Sequence, residues 1–104
     1  MSIPNTSQQK IELVTTYLDN VTIIHQEINH TIEGLAIAIF SDYVICYKHK
    51  NGIKEGPATK KFNDGSYIKF NYIQDRAQGP AIKVFANGDS IHFFYRNDIA
   101  EETD

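Results

Sequence analysis

Three stretches of the chain open alike, Glu33-Gly34-Leu35-Ala36, Glu55-Gly56-Pro57-Ala58 and Gln78-Gly79-Pro80-Ala81, and their glycines lie 22 and 23 residues apart. Six residues after each glycine comes an aromatic, Phe40, Phe62 or Phe85. A turn signal follows at once: Ser41-Asp42, Asn63-Asp64-Gly65 or Ala86-Asn87-Gly88. A period of this length marks a repeat architecture, in which each unit is one supersecondary element whose apolar face its neighbours complete. Asp-Gly and Asn-Gly between alternating segments are hairpin signals, because a type I′ turn needs positive φ at both central residues. The sequence therefore predicts one hairpin per repeat, turning at these dipeptides.

The second strand of each hairpin alternates. Ile68, Phe70 and Tyr72 stand against Tyr67, Lys69 and Asn71, and Ile91, Phe93 and Tyr95 against Ser90, His92 and Phe94. Period two is the signature of a strand with two unlike faces. With a one-residue deletion placed at the turn of the first repeat, Ile45, Tyr47 and His49 occupy the same columns. Asn51-Gly52 then falls where later repeats carry Gln74-Asp75 and Asn97-Asp98. Extended upstream, the template puts Tyr17 at the aromatic position, Asp19-Asn20 at the turn, and Ile23, His25 and Glu27 in the strand columns, which makes a degenerate fourth unit.

Reading down the columns places Ile23, Ile45, Ile68 and Ile91 on one face, with Tyr17, Phe40, Phe62 and Phe85, then Leu13, Ala36, Ala58 and Ala81, and then His25, Tyr47, Phe70 and Phe93. The opposite face mixes Thr22, Val44, Tyr67 and Ser90 with Thr59, Lys61, Lys69 and Asn71, and is expected to be mostly solvated. Cys46 is expected to be a partly buried small residue. Residues 8 to 18 fit either the first strand of the degenerate unit, the preferred reading, or a short helix over the open end of the sheet. The expected fold is all-β: an antiparallel β-meander of three to four tandem hairpin repeats of about 23 residues, with the short N-terminal helix as the alternative. Residues 1–10 are expected to be a disordered or short arm, residues 11–99 the single domain, and residues 100–104 an acidic tail.

The stretch Asn51-Gly52-Ile53-Lys54-Glu55-Gly56-Pro57-Ala58, followed by Phe62-Asn63-Asp64-Gly65, resembles the MORN repeat, and Gly56, Phe62, Gly65 and Gly79 match that family's glycine and aromatic spacing. The likeness covers residues 33–99 and, more weakly, 11–32. The chain departs from the family where Tyr-x-Gly in the second strand is replaced by Ile68-Lys69-Phe70 and Ile91-His92-Phe93, and it contains no Trp. The resemblance implies an elongated antiparallel meander used for protein contacts, or for contact with phospholipids, whose glycines and aromatics are structural and which has no catalytic residues.

Charge narrows the partners. Ten basic against thirteen acidic residues, a net of −3, give no basic field of the kind a phosphate backbone needs, so nucleic acid is not an expected partner. The one cysteine allows no intrachain disulfide. The N-terminus has neither a cationic nor an apolar signal region, and the longest apolar run, Leu35 to Phe40, is far short of the roughly 20 residues that span a bilayer as a helix. A cytoplasmic protein without stable membrane association is expected.

No catalytic or metal constellation stands out. His25 and His49 share a face but lie a repeat apart, about 10 Å at the spacing of neighbouring strands, which is too far for one ion. His30 falls at a turn. Cys46 and His92, in one column two repeats apart, are about 19 Å from each other, out of reach as nucleophile and base. Asp19, Asp42 and Asp64 sit at turns, where Asp serves the backbone.

No enzyme and no cofactor is therefore expected. The leading expectation is a protein-binding module, such as a small inhibitor or immunity-type protein that blocks one larger protein. Tyr47, Phe70, Tyr72, Phe93, Phe94 and Tyr95 are its candidate contact surface, because Tyr and Phe carry binding energy when desolvated. The competing reading makes these rings plain core, and a homodimer would satisfy both. A phospholipid-surface module is the alternative, resting on the resemblance and on Lys60, Lys61, Lys69 and Lys83 as one basic region. A small enzyme is the remaining alternative.

Overall fold

The computed structural model describes residues 10–102. The expected N-terminal arm, apart from Lys10, and the last two residues of the expected tail lie outside that range. Eleven strands form one antiparallel sheet: β1 (Ile11–Leu18), β2 (Val21–Ile28), β3 (Thr31–Ile39), β4 (Tyr43–Lys50), β5 (Ile53–Lys54), β6 (Gly56–Phe62), β7 (Tyr67–Ile73), β8 (Arg76–Ala77), β9 (Gly79–Val84), β10 (Ser90–Arg96) and β11 (Ile99–Glu102). Spatial order follows chain order, β1-β2-β3-β4-β6-β7-β9-β10-β11, with the short β5 and β8 pairing with β4 and β7. The meander is as expected. No helix occurs among the described residues, and residues 11–18 are strand. Ala100, Glu101 and Glu102 continue the sheet by pairing with Tyr95, Phe94 and Phe93, so it runs past the expected boundary at residue 99.

The type I′ geometry lies between the repeats and not within them, at residues whose types tolerate left-handed backbone. Positive φ at both central residues, the type I′ requirement, is found between repeats, at Asn29-His30, Asn51-Gly52, Gln74-Asp75 and Asn97-Asp98. Within the later repeats the loops 62–66 and 85–89 each have one left-handed residue, Gly65 or Gly88. The Gly65 N–H donates to Phe62 C=O (3.1 Å) and the Phe62 N–H to Ser66 C=O (2.9 Å), the pattern of a type I turn closed by a glycine bulge. Asp64 Oδ1 accepts from the backbone N–H (2.8 Å) and the hydroxyl (2.6 Å) of the buried Ser66, which spends the side chain on the turn.

The recurrent acidic or amide residue before each repeat glycine has a local cause. Side-chain oxygens of Glu33, Glu55 and Gln78 accept from the backbone N–H of Asn51, Gln74 and Asn97, the first left-handed residue of the turn that follows. In the other direction Asp75 and Asp98 accept from the N–H of Lys54 and Ala77, each at 2.7 Å. Each unit thus ties its end to the next one through groups that would otherwise be unpaired donors.

Pairing places Ile23, Ala38, Ile45, Lys60, Ile68, Lys83 and Ile91 in one row across the first face. Val14, His25, Ala36 and Tyr47 begin a second row, which Ala58–Phe70 and Ala81–Phe93 continue. Small alanines opposite large rings leave room for those rings. Ala58, Ile68, Phe70, Tyr72, Ala77 and Ala81 form the buried cluster, with Ile45, Tyr47, Phe62, Phe93 and Tyr95 against it. Each large apolar side chain buried here contributes about 1.5–3 kcal/mol. The molecule measures 63 × 28 × 24 Å. A cross-section of nearly equal sides is what accumulated strand twist makes of a single layer.

The first unit departs from its template by one residue. Leu18 pairs with Val21 across a two-residue turn, so Val14 and Thr16 stand opposite His25 and Ile23, while Leu13 and Tyr17 pair with Gln26 and Thr22 on the second face. They are 74% and 78% exposed, not part of the apolar columns. A slip of one residue carries every side chain of a strand to the other face. The second face is accordingly not mostly solvated throughout. Over β1 to β4 it presents Leu13, Ile24, Leu35, Ile37 and the exposed Cys46 along one shallow groove, and only from β6 onward do Lys61, Lys69 and Asn71 dominate it.

Candidate functional site

Five of the six expected contact residues come together on the first face. Ring centroids run Tyr47 to Tyr72 (6.0 Å), Tyr72 to Phe70 (5.0 Å), Phe70 to Tyr95 (5.4 Å) and Tyr95 to Phe93 (5.2 Å), an unbroken ladder at tilted and edge-to-face angles. Phe70 and Tyr72 are buried, and Tyr47, Phe93 and Tyr95 half-buried. Phe94 does not join them. Strand alternation turns it to the second face, opposite Pro80 and Glu101, where it is 45% exposed. Burial, together with the phenols and Asp98 nearby, pushes the Tyr72 pKa up to about 12, and burial raises those of Tyr47 and Tyr95. All three phenols stay neutral hydrogen-bonding groups.

Cations lie over the rings. Lys54 Nζ is 4.7 Å from the centroid of Tyr72, Lys60 Nζ 4.1 Å from Tyr43 and 5.3 Å from Phe62, and Lys83 Nζ 5.0 Å from both Phe62 and Phe85. None of the four ion pairs among the described residues involves Lys54, Lys60 or Lys83. Burial, and then the charge of Lys83, lowers the pKa of Lys60. Lys60, Lys61, Lys69 and Lys83, expected as one basic region, are split by pairing: Lys60 and Lys83 on the first face, Lys61 and Lys69 on the second. The signal was present, because Ala58, Lys60 and Phe62 recur at every second residue.

At the end of the ladder, His49 lies 5.2 Å from Tyr47 and 6.4 Å from His25, ring to ring. The two imidazoles are closer than strand spacing implied, because β3 runs between them with only Gly34 and Ala36 beneath. His25 Nε2 is 2.9 Å from Glu27 Oε2. Burial and the neighbouring His25 lower the pKa of His49. No group of three or more His, Cys, Asp or Glu among the described residues is arranged to hold a metal ion. Cys46 and His92 lie on the second face, four strand positions apart.

Beside the ladder, Ile68, Lys83, Ile91, Phe93, Tyr95 and Ala100 line a shallow groove of about 280 Å³, bordered by Glu101 and Glu102. Ile91, one of the lining residues, is 51% exposed. Ile91 is expected from the sequence in the apolar face but is not one of the six expected contact residues. No described helix is long and apolar enough to cross a membrane. In comparison with known proteins, the chain matches no family model and no curated protein sequence.

Proposed function

We propose that this chain is a MORN-like hairpin-repeat module of the cytoplasm that binds a protein on its first face and catalyses nothing. The observation that carries this reading is the groove around Ile91. There, an apolar floor continues an aromatic ladder, no described element covers it, and its rim carries Lys83, which is in none of the ion pairs among the described residues, as well as Glu101 and Glu102. Large apolar anchors ringed by polar groups are the composition of a protein-binding surface. The partner this chemistry favours inserts an aliphatic or aromatic side chain beside Phe93 and offers a carboxylate to Lys83 and Lys60. Covering a functional surface of a larger protein in this way is how a small inhibitor acts.

The experiment compares affinity capture from lysate by the wild-type chain, by Ile91→Glu, and by Lys69→Glu on the second face. One stoichiometric protein kept by Lys69→Glu and lost by Ile91→Glu is expected. Equal capture by all three, or salt-sensitive flotation with anionic vesicles in place of any protein, would replace this reading with another surface or with a lipid.

A further inference from the structure

We propose that two copies of this chain join through β1, antiparallel, about a twofold axis at Thr15. The sheet has two outer edges, and they are unlike. β11 is four residues long and carries Glu101 and Glu102, the short, charged form in which sheets guard an edge. β1 is eight residues of Ile-Glu-Leu-Val-Thr-Thr-Tyr-Leu, with no proline and no lysine within it, and no described strand pairs with its outer side.

The backbone groups on that side can be assigned. Leu18 and Val21 flank the two-residue turn Asp19-Asn20, so they form a hydrogen-bonded pair, and alternation makes Thr16, Val14 and Glu12 the residues bonded to β2. At the far end the Asn29 N–H donates to Lys10 C=O (2.9 Å), in the same phase. Ile11, Leu13, Thr15 and Tyr17 therefore direct N–H and C=O outward. A second extended strand is what that row accepts.

Side chains select the second copy and its register. With Thr15 opposite Thr15, Leu13 of each copy faces Tyr17 of the other on the second face, and so each covers the most exposed apolar groups of β1. Val14 faces Thr16, and Glu12 faces Leu18, on the first face. Lys10 comes opposite Asn20, next to Asp19, while the two Glu12 carboxylates stay apart. The neighbouring register, with Val14 opposite Val14, sets Leu13 against Thr15 and Lys10 against Leu18, and forfeits both complementarities. A twofold isologous contact closes on itself, and the charged β11 edges are left outside it.

Sedimentation of the full chain across a concentration series tests this. A species of twice 11.8 kDa is expected, and Thr15→Pro should abolish it without lowering the melting temperature much, because the Thr15 N–H is not part of the β1–β2 ladder. Leu13→Lys with Tyr17→Lys, which sets lysines opposite each other, should do the same. In a Cys46→Ser background Thr15→Cys should form an intermolecular disulfide on mild oxidation, its Cα atoms about 5.5 Å apart, whereas Val14→Cys should not. A monomer at every concentration, an open-ended polymer, a dimer that survives both edge variants, or cross-linking at position 14 in preference to 15 would overturn the proposal. All of these readouts are independent of the groove around Ile91.

Discussion

Burial, and after it the adjacent His25, hold His49 below the pKa of an ordinary histidine, so the unfolded chain takes up a proton that the folded chain resists. The stability contributed by the neutral ring is complete above the unfolded value near 6.5 and declines as pH falls from there toward the lower folded value. His49→Gln should therefore flatten part of the fall in melting temperature that wild type shows between about pH 7.5 and 5.5. Thermal melts of the two proteins across that window decide it, and parallel curves would mean that His49 does not titrate as described. At the other kind of special residue, Gly34 has φ of +86°, and a β-carbon there would meet Gln26 Oε1, which accepts from the Leu35 N–H at 2.8 Å. Gly34→Ala should cost about 1–3 kcal/mol in urea unfolding, the scale of a disfavoured backbone conformation.

The left-handed turns at Asn51, Gln74 and Asn97 each take a side-chain acceptor from the residue before a repeat glycine, and that acceptor need not be charged, since Gln78 serves where Glu33 and Glu55 serve elsewhere. Glu55→Ala should destabilise by about 0.5–1.5 kcal/mol through the lost bond to the Gln74 N–H, while Glu55→Gln should restore most of it. The ladder divides into parts that hold the sheet and parts that face outward. Phe70→Ala, at the centre of the buried cluster, should cost about 3–5 kcal/mol. Ile91→Ala should cost far less, because half of that side chain is already in water, yet it should weaken capture of the partner. Equal destabilisation by both would mean that Ile91 is core, and the proposed face would have to be given up.

For the whole molecule, a meander whose strands hydrogen-bond only to strands close by in the chain distributes stability unevenly. The buried cluster is centred on β6, β7 and β9, and β11 has no buried residue. Native-state hydrogen exchange should therefore be slowest in Gly56–Phe62 and Tyr67–Ile73 and fastest in Ile99–Glu102, with β1 protected in proportion to protein concentration if its outer edge pairs with a second copy. Uniform protection from β1 to β11 would contradict both the nearest-neighbour picture and the unlike edges.

The meander and the shared face of Ile45, Ile68, Phe70, Tyr72, Phe93 and Tyr95 were legible in the chain, because glycine spacing and period-two alternation are local properties that survive into the fold. The register of β1 was not. Ile11, Leu13 and Tyr17 lie on one parity and Val14 and Leu18 on the other, so hydrophobicity does not choose between them, and the two-residue turn at Asp19-Asn20 does. Tertiary structure alone also decided that His25 and His49 meet across a strand of small residues, and that Lys60 and Lys83 settle over rings of the first face while Lys61 and Lys69 lie on the second. Alternation assigns a side chain to a face. Which neighbours it meets there depends on loop lengths and strand order, which act between residues far apart in sequence.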